Sequence, residues 1–252
     1  MHKAARQQAL LALLSEQGQS SVAQLSQALR VSVDTVRRDL NDLQQQGLAQ
    51  KNHGGAIALD VPVMSRAARS TLLNATKQRL GRAVAAQIPP GATLMLDAGS
   101  TLLAVAEALT VPARVITASL DVAVVLSQRP QIELILLGGQ WDSAQRLFAG
   151  AATLAMLQRY RADIAILGAC AVHAGLGISA SQEADAEIKR AMLALSAQRW
   201  LVVDHLKLDC CQPHQVADLA AMQRLFIDRP WDALPAMPAT DVSVIPEGEH
   251  HE

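Results

Sequence analysis

Residues 91–101 read Gly-Ala-Thr-Leu-Met-Leu-Asp-Ala-Gly-Ser-Thr. The apolar run at 94–96 reads as a short buried strand, and it stops at a polar loop followed by a helical pattern of Leu102, Leu103, Ala106 and Leu109. A strand that hands over to a helix through Asp97, Gly99, Ser100 and Thr101 makes a cup of phosphate size. Backbone N–H groups are free at the helix N-terminus, the helix dipole is positive there, glycine lets the backbone come close, and two hydroxyls can donate. The same residue types also cap ordinary turns, so the stretch takes its meaning from what surrounds it.

Downstream, short apolar runs at 94–96, 115–117, 132–137, 164–167 and 201–203 alternate with helical patterns at about 102–109, 120–127, 147–158 and 184–197. This alternation predicts a mostly parallel sheet covered by helices, with ligands at the carboxyl ends of its strands. Those ends are polar or small: Asp97 to Thr101, Thr117-Ala118-Ser119, Gly138-Gly139, Gly168-Ala169-Cys170 and Asp204-His205-Leu206-Lys207. Repetition along one sheet edge predicts a site for a hydroxylated, anionic small molecule. Lys207 would supply a point charge, Ser100, Thr101 and Ser119 hydroxyl donors, and Asp97 and Asp204 acceptors. Upstream of the cup, a helical pattern from Lys77 through Leu80, Val84 and Ile88 stops at Pro89-Pro90-Gly91.

The N-terminal segment follows a different plan. Residues 3–17 form an amphipathic pattern ending at Gly18. Ser21-Val22-Ala23-Gln24 has the form of a capping box for a second, short helix with Val22, Leu25 and Leu29 on one face, ending near Arg30. After the Val31-Ser32 turn, Ser32 caps a third helix with Val33, Val36, Leu40 and Leu43 inside and Asp34, Thr35, Arg37, Arg38 and Asn41 outside. Two short helices joined by a tight turn, the second bearing paired arginines near its start, make a helix-turn-helix suited to a major groove. Residues 48–57, with Gly54-Gly55, read as a two-stranded hairpin carrying Lys51 and His53 near its tip. A plainer reading makes Arg37 and Arg38 a solvated face neutralised by Asp34, Asp39 and Asp42; the three-helix spacing, caps and hairpin together favour DNA.

Charge agrees. Residues 1–90 carry 11 Lys plus Arg against 5 Asp plus Glu, whereas the remainder carries 11 against 18, although the 252-residue chain has a net charge of only −1. The basic segment is where a polyanion would bind. With 6 aromatic side chains in all, the chain has too few for a single-strand stacking platform, which leaves duplex DNA. Half the residues are hydrophobic, enough for two domains with a core. No apolar run reaches the length of a membrane span and the N-terminus enters an amphipathic helix directly, so a cytoplasmic protein without membrane association is expected. Cys170, Cys210 and Cys211 form no CxxC pair, and neither a metal nor a cofactor is expected.

Residues 5–57, with Val-Ser-Val-Asp-Thr-Val-Arg-Arg-Asp-Leu-Asn-Asp-Leu at 31–43 and Asn-His-Gly-Gly-Ala at 52–56, resemble the winged helix-turn-helix of the DeoR family of sugar-responsive bacterial regulators. The resemblance implies Ser32, Asp34, Thr35, Arg37 and Arg38 as DNA contacts, with Lys51 and His53 of the wing behind them. It continues to about residue 229 through Asp97-Ala98-Gly99-Ser100-Thr101, Thr117-Ala118-Ser119-Leu120, Leu137-Gly138-Gly139, Asp185-Ala186-Glu187-Ile188-Lys189-Arg190 and Asp204-His205-Leu206-Lys207. These match motifs of the family's effector domain, which is similar in fold to ribose-5-phosphate isomerase. A phosphorylated sugar or related metabolite is thereby implied as effector, with Asp97, Gly99, Ser100, Thr101, Thr117, Ser119, Gly138, Gly139, Lys189, Asp204 and Lys207 as its contacts. Ala118 stands where the family usually has Asn, Leu206 replaces a common Ser, and Asp185 a more usual Glu.

The expected architecture is therefore α/β: a winged helix-turn-helix at 1–57, a linker at 58–76, a mostly parallel α/β effector domain at 77–231, and a tail at 232–252 in which residues 241–245 can add an edge strand. The expected function is a DNA-binding regulator, a repressor of a carbohydrate-utilisation operon released from operator DNA by its effector, acting as a dimer or higher homo-oligomer because symmetric half-sites require it. Two alternatives stand beside it. One is a sugar-phosphate isomerase-like enzyme with a DNA-binding appendage, in which Asp97, Asp204, Glu187 and Lys207 would serve. The other is an architectural DNA-binding protein with a vestigial second domain, which Ala118 keeps open.

Overall fold

The computed structural model describes residues 3–17, 19–45, 49–52, 55–58 and 73–246. The chain divides into two compact units, parted within residues 64–74. In the first, α1 (Lys3–Gln17), β1 (Gln19–Ser21), α2 (Val22–Leu29) and α3 (Val33–Gln45) are followed by β2 (Ala49–Asn52) and β3 (Gly55–Ala58). Leu10, Leu14, Leu25, Val36, Leu40, Leu43 and Ala49 close a small apolar core. The predicted capping box is formed in full: the Gln24 N–H donates to Ser21 Oγ at 3.2 Å, and Gln24 Oε1 accepts from the Ser21 N–H at 2.8 Å. Arg30 ends α2 in the left-handed conformation, φ 53°. Ser32 then starts α3, its hydroxyl accepting from the Thr35 N–H at 3.1 Å.

Two details depart from the sequence reading. Val33, placed on the inner face, is exposed, because at the first position of α3 its side chain lies beyond the layer that Val36, Leu40 and Leu43 bury. Asp39, which the plainer reading made an outer partner of the arginines, is buried instead. The wing is also larger than a hairpin, since β1 pairs antiparallel with β3 and gives a three-stranded sheet of order β1-β3-β2.

The second unit begins with α4 (Asn74–Ala85), three residues before the expected Lys77. It continues through β4 (Thr93–Leu96), α5 (Ser100–Ala108), β5 (Ala113–Thr117), α6 (Leu120–Leu126), β6 (Ile132–Leu136), β7 (Gln140–Asp142) and β8 (Leu147–Ala149). After these come α7 (Ala151–Leu157), β9 (Ala162–Leu167), β10 (Ala171–His173), β11 (Gly177–Ala180), α8 (Glu183–Ala194) and β12 (Ser196–Val203). The unit ends with β13 (His214–Ala217), β14 (Arg224–Ile227) and β15 (Asp241–Val244). A parallel seven-stranded sheet has the order β15-β14-β12-β9-β4-β5-β6. The tail thus supplies the predicted edge strand.

Period-two alternation divides the core between the two faces of this sheet. Leu94, Leu96, Ile164, Ile166, Trp200 and Val202 pack with Leu80 and Val84 of α4, Val105 of α5 and Val122 of α6. Met95, Ala165, Leu167, Leu201 and Val203 pack on the other side with Leu157 of α7 and Ile188 and Met192 of α8. Two helical expectations are corrected at their ends. Residues 147–149 are not helix but a strand paired with β7, and Gly150 at φ 92° turns the chain into α7. The helix expected to reach 197 stops at Ala194, because Ser196 already pairs with Ala162 of β9.

Strand order also locates the site. From the centre, the chain runs β4, β5, β6 towards one edge and β9, β12, β14, β15 towards the other. The switch falls between β4 and β9, where an open α/β sheet leaves a crevice beyond its carboxyl ends.

Candidate functional site

In the first unit the polar groups of α3 fall into two systems. On its inner side, Arg6 of α1 grips Asp39 through Nε at 2.5 Å and Nη2 at 3.1 Å, and Lys3 reaches Asp42 at 2.9 Å. These pairs tie α1 to α3. On the outer side, Ser32, Asp34, Arg37 and Arg38 are exposed and Thr35 is half-buried. Arg37 approaches Asp34 at 3.4 Å, with 62% of its side chain exposed, and Arg38 Nε donates to the Asp34 carbonyl at 3.4 Å. Pairs this long and wet contribute little and exchange readily for a phosphate or a base edge. Asp39 and Asp42 are occupied elsewhere, so the arginines are not neutralised by them. Ser32 spends its hydroxyl on the cap and on Thr35 Oγ1, 2.8 Å away. Lys51 falls in β2 opposite Ala56, with its side chain outside the described part, and His53 lies outside the described residues.

In the second unit a cavity opens over the carboxyl ends of the adjacent strands β4, β9 and β12. Gly99, Ser100, Thr101, Lys189, Asp204 and Lys207 line it, together with Cys170, Asp185, Gln145 and Leu147. Two of the lining residues, Asp185 and Lys189, belong to an ionic triad with Asp97. Lys189 Nζ stands 2.7 Å from Asp97 Oδ2 and 2.7 Å from Asp185 Oδ1, and all three side chains are buried. Asp97 Oδ2 also accepts from the Gly168 N–H at 3.1 Å, linking the ends of β4 and β9 at the switch point. A Cβ on Gly168 would stand 2.6 Å from Leu102 Cδ2, so any larger residue there would make that side chain shift.

Burial opposes a charge on Lys189, but Asp185 and Asp97 outweigh it and hold the ammonium well above the ordinary lysine range. Burial pushes the Asp97 carboxyl up, and Asp185 adds to the effect, against the pull of Lys189. Lys189 is a fixed cation that two carboxylates share. It organises the floor of the cavity and is neither a neutral nucleophile nor a mobile phosphate ligand. Asp97 is equally committed, so it is not poised as the free base an isomerase requires.

The start of α5 differs. Its N-cap is Gly99, at φ 141°, and no side chain caps it. The first-turn N–H groups have no intrahelical acceptor, and Ser100, Thr101 and Leu102 line the cavity with Lys207. Asp204 Oδ1 accepts from the Leu206 N–H at 3.2 Å and so shapes the turn that presents Lys207. Behind that turn His205 Nδ1 meets Asp228 Oδ2 at 2.5 Å, and Arg229 donates to His205 Nε2 at 2.9 Å. The Asp228 carboxyl is held below its ordinary value: burial raises it, and the His205 side chain and the backbone N–H groups together outweigh burial.

Five of the residues assigned to the effector do not line this cavity: Asp97, committed to the triad, and four at the ends of β5 and β6. Thr117 and Ser119 are buried at the end of β5, where Thr117 Oγ1 accepts from the Ser119 N–H and Ser119 caps α6. The Gly138 carbonyl accepts from Thr153 Oγ1 at 2.7 Å, and a Cβ on Gly139 would fall 2.0 Å from that oxygen. These residues build the scaffold, because β5 and β6 lie to one side of the switch point. Ala118 packs in the core with Leu147, and its carbonyl accepts from the Phe148 N–H. Sequence reasoning placed Cys170 at one of the strand ends but assigned neither it nor Asp185 nor Gln145 to the effector. The spacing of Asp185 and Lys189, i and i+4 on one helix, was a usable signal for Asp185; nothing local marks Gln145. Among the described residues no helix is long and apolar enough to cross a membrane.

Comparisons with known proteins extend over the whole of this framework. Residues 6–61 match the model of a DeoR-like helix-turn-helix domain, and residues 74–229 that of the DeoR C terminal sensor domain. The glycerol-3-phosphate regulon repressor of Escherichia coli (strain K12) is 33% identical over 91% of this chain and 92% of its own length. The HTH-type transcriptional repressor GlcR of Bacillus subtilis is 33% identical over 91% and 90%. Ribose 5-phosphate isomerase A from Methanocaldococcus jannaschii is similar at a TM-score of 0.40 and 17% identity, over 53% of this chain and 54% of that one.

Proposed function

The chain belongs to the DeoR family of transcriptional regulators, and we propose that it represses a carbohydrate-utilisation operon and leaves its operator when a phosphorylated sugar or polyol enters the cavity. It binds DNA with the outer face of α3, where Thr35, Arg37 and Arg38 read or clamp the duplex, with Ser32, Asp34, Lys51 and His53 in supporting positions. The DNA-bound form is at least a dimer, matching symmetric half-sites. The effector acts because it binds the DNA-releasing state more tightly than the DNA-bound one; equal affinity for both would shift nothing.

One observation carries the phosphate reading: α5 begins at an uncapped glycine and its first turn lines the cavity beside Lys207. Free N–H groups, a positive helix end, two hydroxyls and one lysine suit an anion of phosphate type. The names of the relatives, one of a glycerol-3-phosphate regulon, agree with that chemistry.

The test has two arms. An operator is first selected from a random duplex pool with the full chain. Release is then followed by gel shift with glycerol 3-phosphate, ribose 5-phosphate and glucose 6-phosphate, each beside its unphosphorylated parent. An effector at 100 times its Kd should also stabilise the protein by about 2.7 kcal/mol, visible as a raised Tm. Release and stabilisation by a phosphorylated compound alone support the proposal, whereas equal effects from the parent compounds exclude the assigned anion site.

A further inference from the structure

We propose that Gln145 reads the part of the effector beyond its phosphate, hydrogen-bonding a hydroxyl through its carboxamide; this rests on the phosphate reading above. Most of the cavity wall comes from strand ends and helix starts. Gln145 and Leu147 come from the β7–β8 hairpin, which stands outside the seven-stranded sheet.

That hairpin is fixed on both sides of Gln145. Before it, Asp142 Oδ1 accepts from the N–H groups of Ala144 and Gln145, each at 2.9 Å. After it, Arg146 takes the left-handed conformation at φ 54° and grips Asp121 of α6 through Nη2 at 2.6 Å and Nε at 2.8 Å. The same guanidinium lies 6.0 Å from the ring centroid of Trp141. Next, Leu147 bridges to Ser119, and the Phe148 N–H donates to the Ala118 carbonyl at 2.9 Å. The backbone of Gln145 is therefore ordered before any ligand arrives, which lowers the entropy cost of using its side chain.

The chemistry of the wall points the same way. Gln145 brings a carboxamide to a cavity whose other polar side chains are charged groups, hydroxyls and a thiol. An uncharged group that both donates and accepts matches a hydroxyl, and a site that offers such a partner rejects an analogue without it. The two ends of the effector are thus read by different elements: the anion by α5 and Lys207, the hydroxylated end by the hairpin.

Calorimetric titration of the full chain separates these roles. Inorganic phosphate probes the anion site alone, and glycerol 3-phosphate, ribose 5-phosphate and glucose 6-phosphate probe both ends. In Gln145→Ala the affinity for inorganic phosphate should stay within about twofold, while the tightest ester weakens about tenfold. Asp142→Ala, which frees the turn without touching the cavity wall, should show the same split. Wild-type ester affinity in Gln145→Ala, or equal weakening of ester and phosphate, overturns the assignment. If the wild-type chain binds neither phosphate nor any ester, the phosphate reading falls and takes this one with it; binding that Gln145→Ala leaves unchanged removes only the role of Gln145.

Discussion

The outer face of α3 and the floor of the effector cavity both carry opposed charges, yet they are built on opposite terms. Arg37 and Asp34 face water and meet at 3.4 Å, whereas Lys189, Asp97 and Asp185 are buried and meet at 2.7 Å. On the proposed function, the surface that trades its partners for DNA keeps its ion pairs long and wet, and the cavity that is shaped before its ligand arrives keeps them short and dry. Helix α3 alone shows both designs, with Asp39 buried against Arg6 and Asp34 exposed beside Arg37.

The comparison breaks most visibly at Lys189. Lys189→Ala leaves two buried carboxylates without their cation and should cost about 3–5 kcal/mol in urea unfolding of the second unit. A loss below about 1 kcal/mol would mean that water reaches the triad. Next comes the exposed pair. Arg37→Ala combined with Arg38→Ala should lower operator affinity by a hundredfold or more, at about 1–3 kcal/mol per arginine, while changing stability by less than about 0.5 kcal/mol. Titrating salt in the single variants sharpens the point, since losing a phosphate contact lowers the slope of log K against log salt by about one and losing a base contact does not.

Acid then tests the buried carboxylates by sign. Asp228 has a lowered value, so its contribution is complete above the ordinary aspartate value of about 3.9 and is lost as pH falls through the lowered one. Asp97 has a raised value, so the folded state takes up its proton more readily and this group's contribution grows as pH falls. Asp228→Asn should therefore flatten the acid limb of the stability profile; an unchanged limb would place its acid sensitivity elsewhere. The smallest effect is expected at the capping box, where Ser21→Ala should cost about 1 kcal/mol and Ser21→Asp much less, as read from chemical unfolding of the N-terminal unit.

Local signals were legible in the sequence, and pairings between distant segments were not. Ser21 and Gln24 announce their cap, and Val36, Leu40 and Leu43 their inner face, because each pattern lies within a few turns of one helix. The central strands were equally plain from their apolar runs. Strand β1 was missed because Gln19, Ser20 and Ser21 have no apolar alternation and become a strand only through pairing with residues 55–57. Residues 147–149 were read as helix because Leu147, Leu154 and Leu157 share a helical spacing, and pairing with residues 140–142 prevailed over it. The site followed the same rule. Gly99, Ser100, Thr101 and Lys207 could be read from strand ends, but strand order puts Thr117, Ser119, Gly138 and Gly139 away from the switch point, and a hairpin outside the sheet brings Gln145 in.

The β7–β8 hairpin sits outside the sheet whose two faces carry the core of its unit. Its residues outside that core can therefore vary under selection with little penalty to the seven strands beneath them, provided that Leu147 and Ala149 stay buried and that Asp142, Arg146 and the glycine at 139 keep its backbone in place. On the reading proposed above, rewriting this one short surface segment changes what the protein senses and leaves the outer face of α3 as it was.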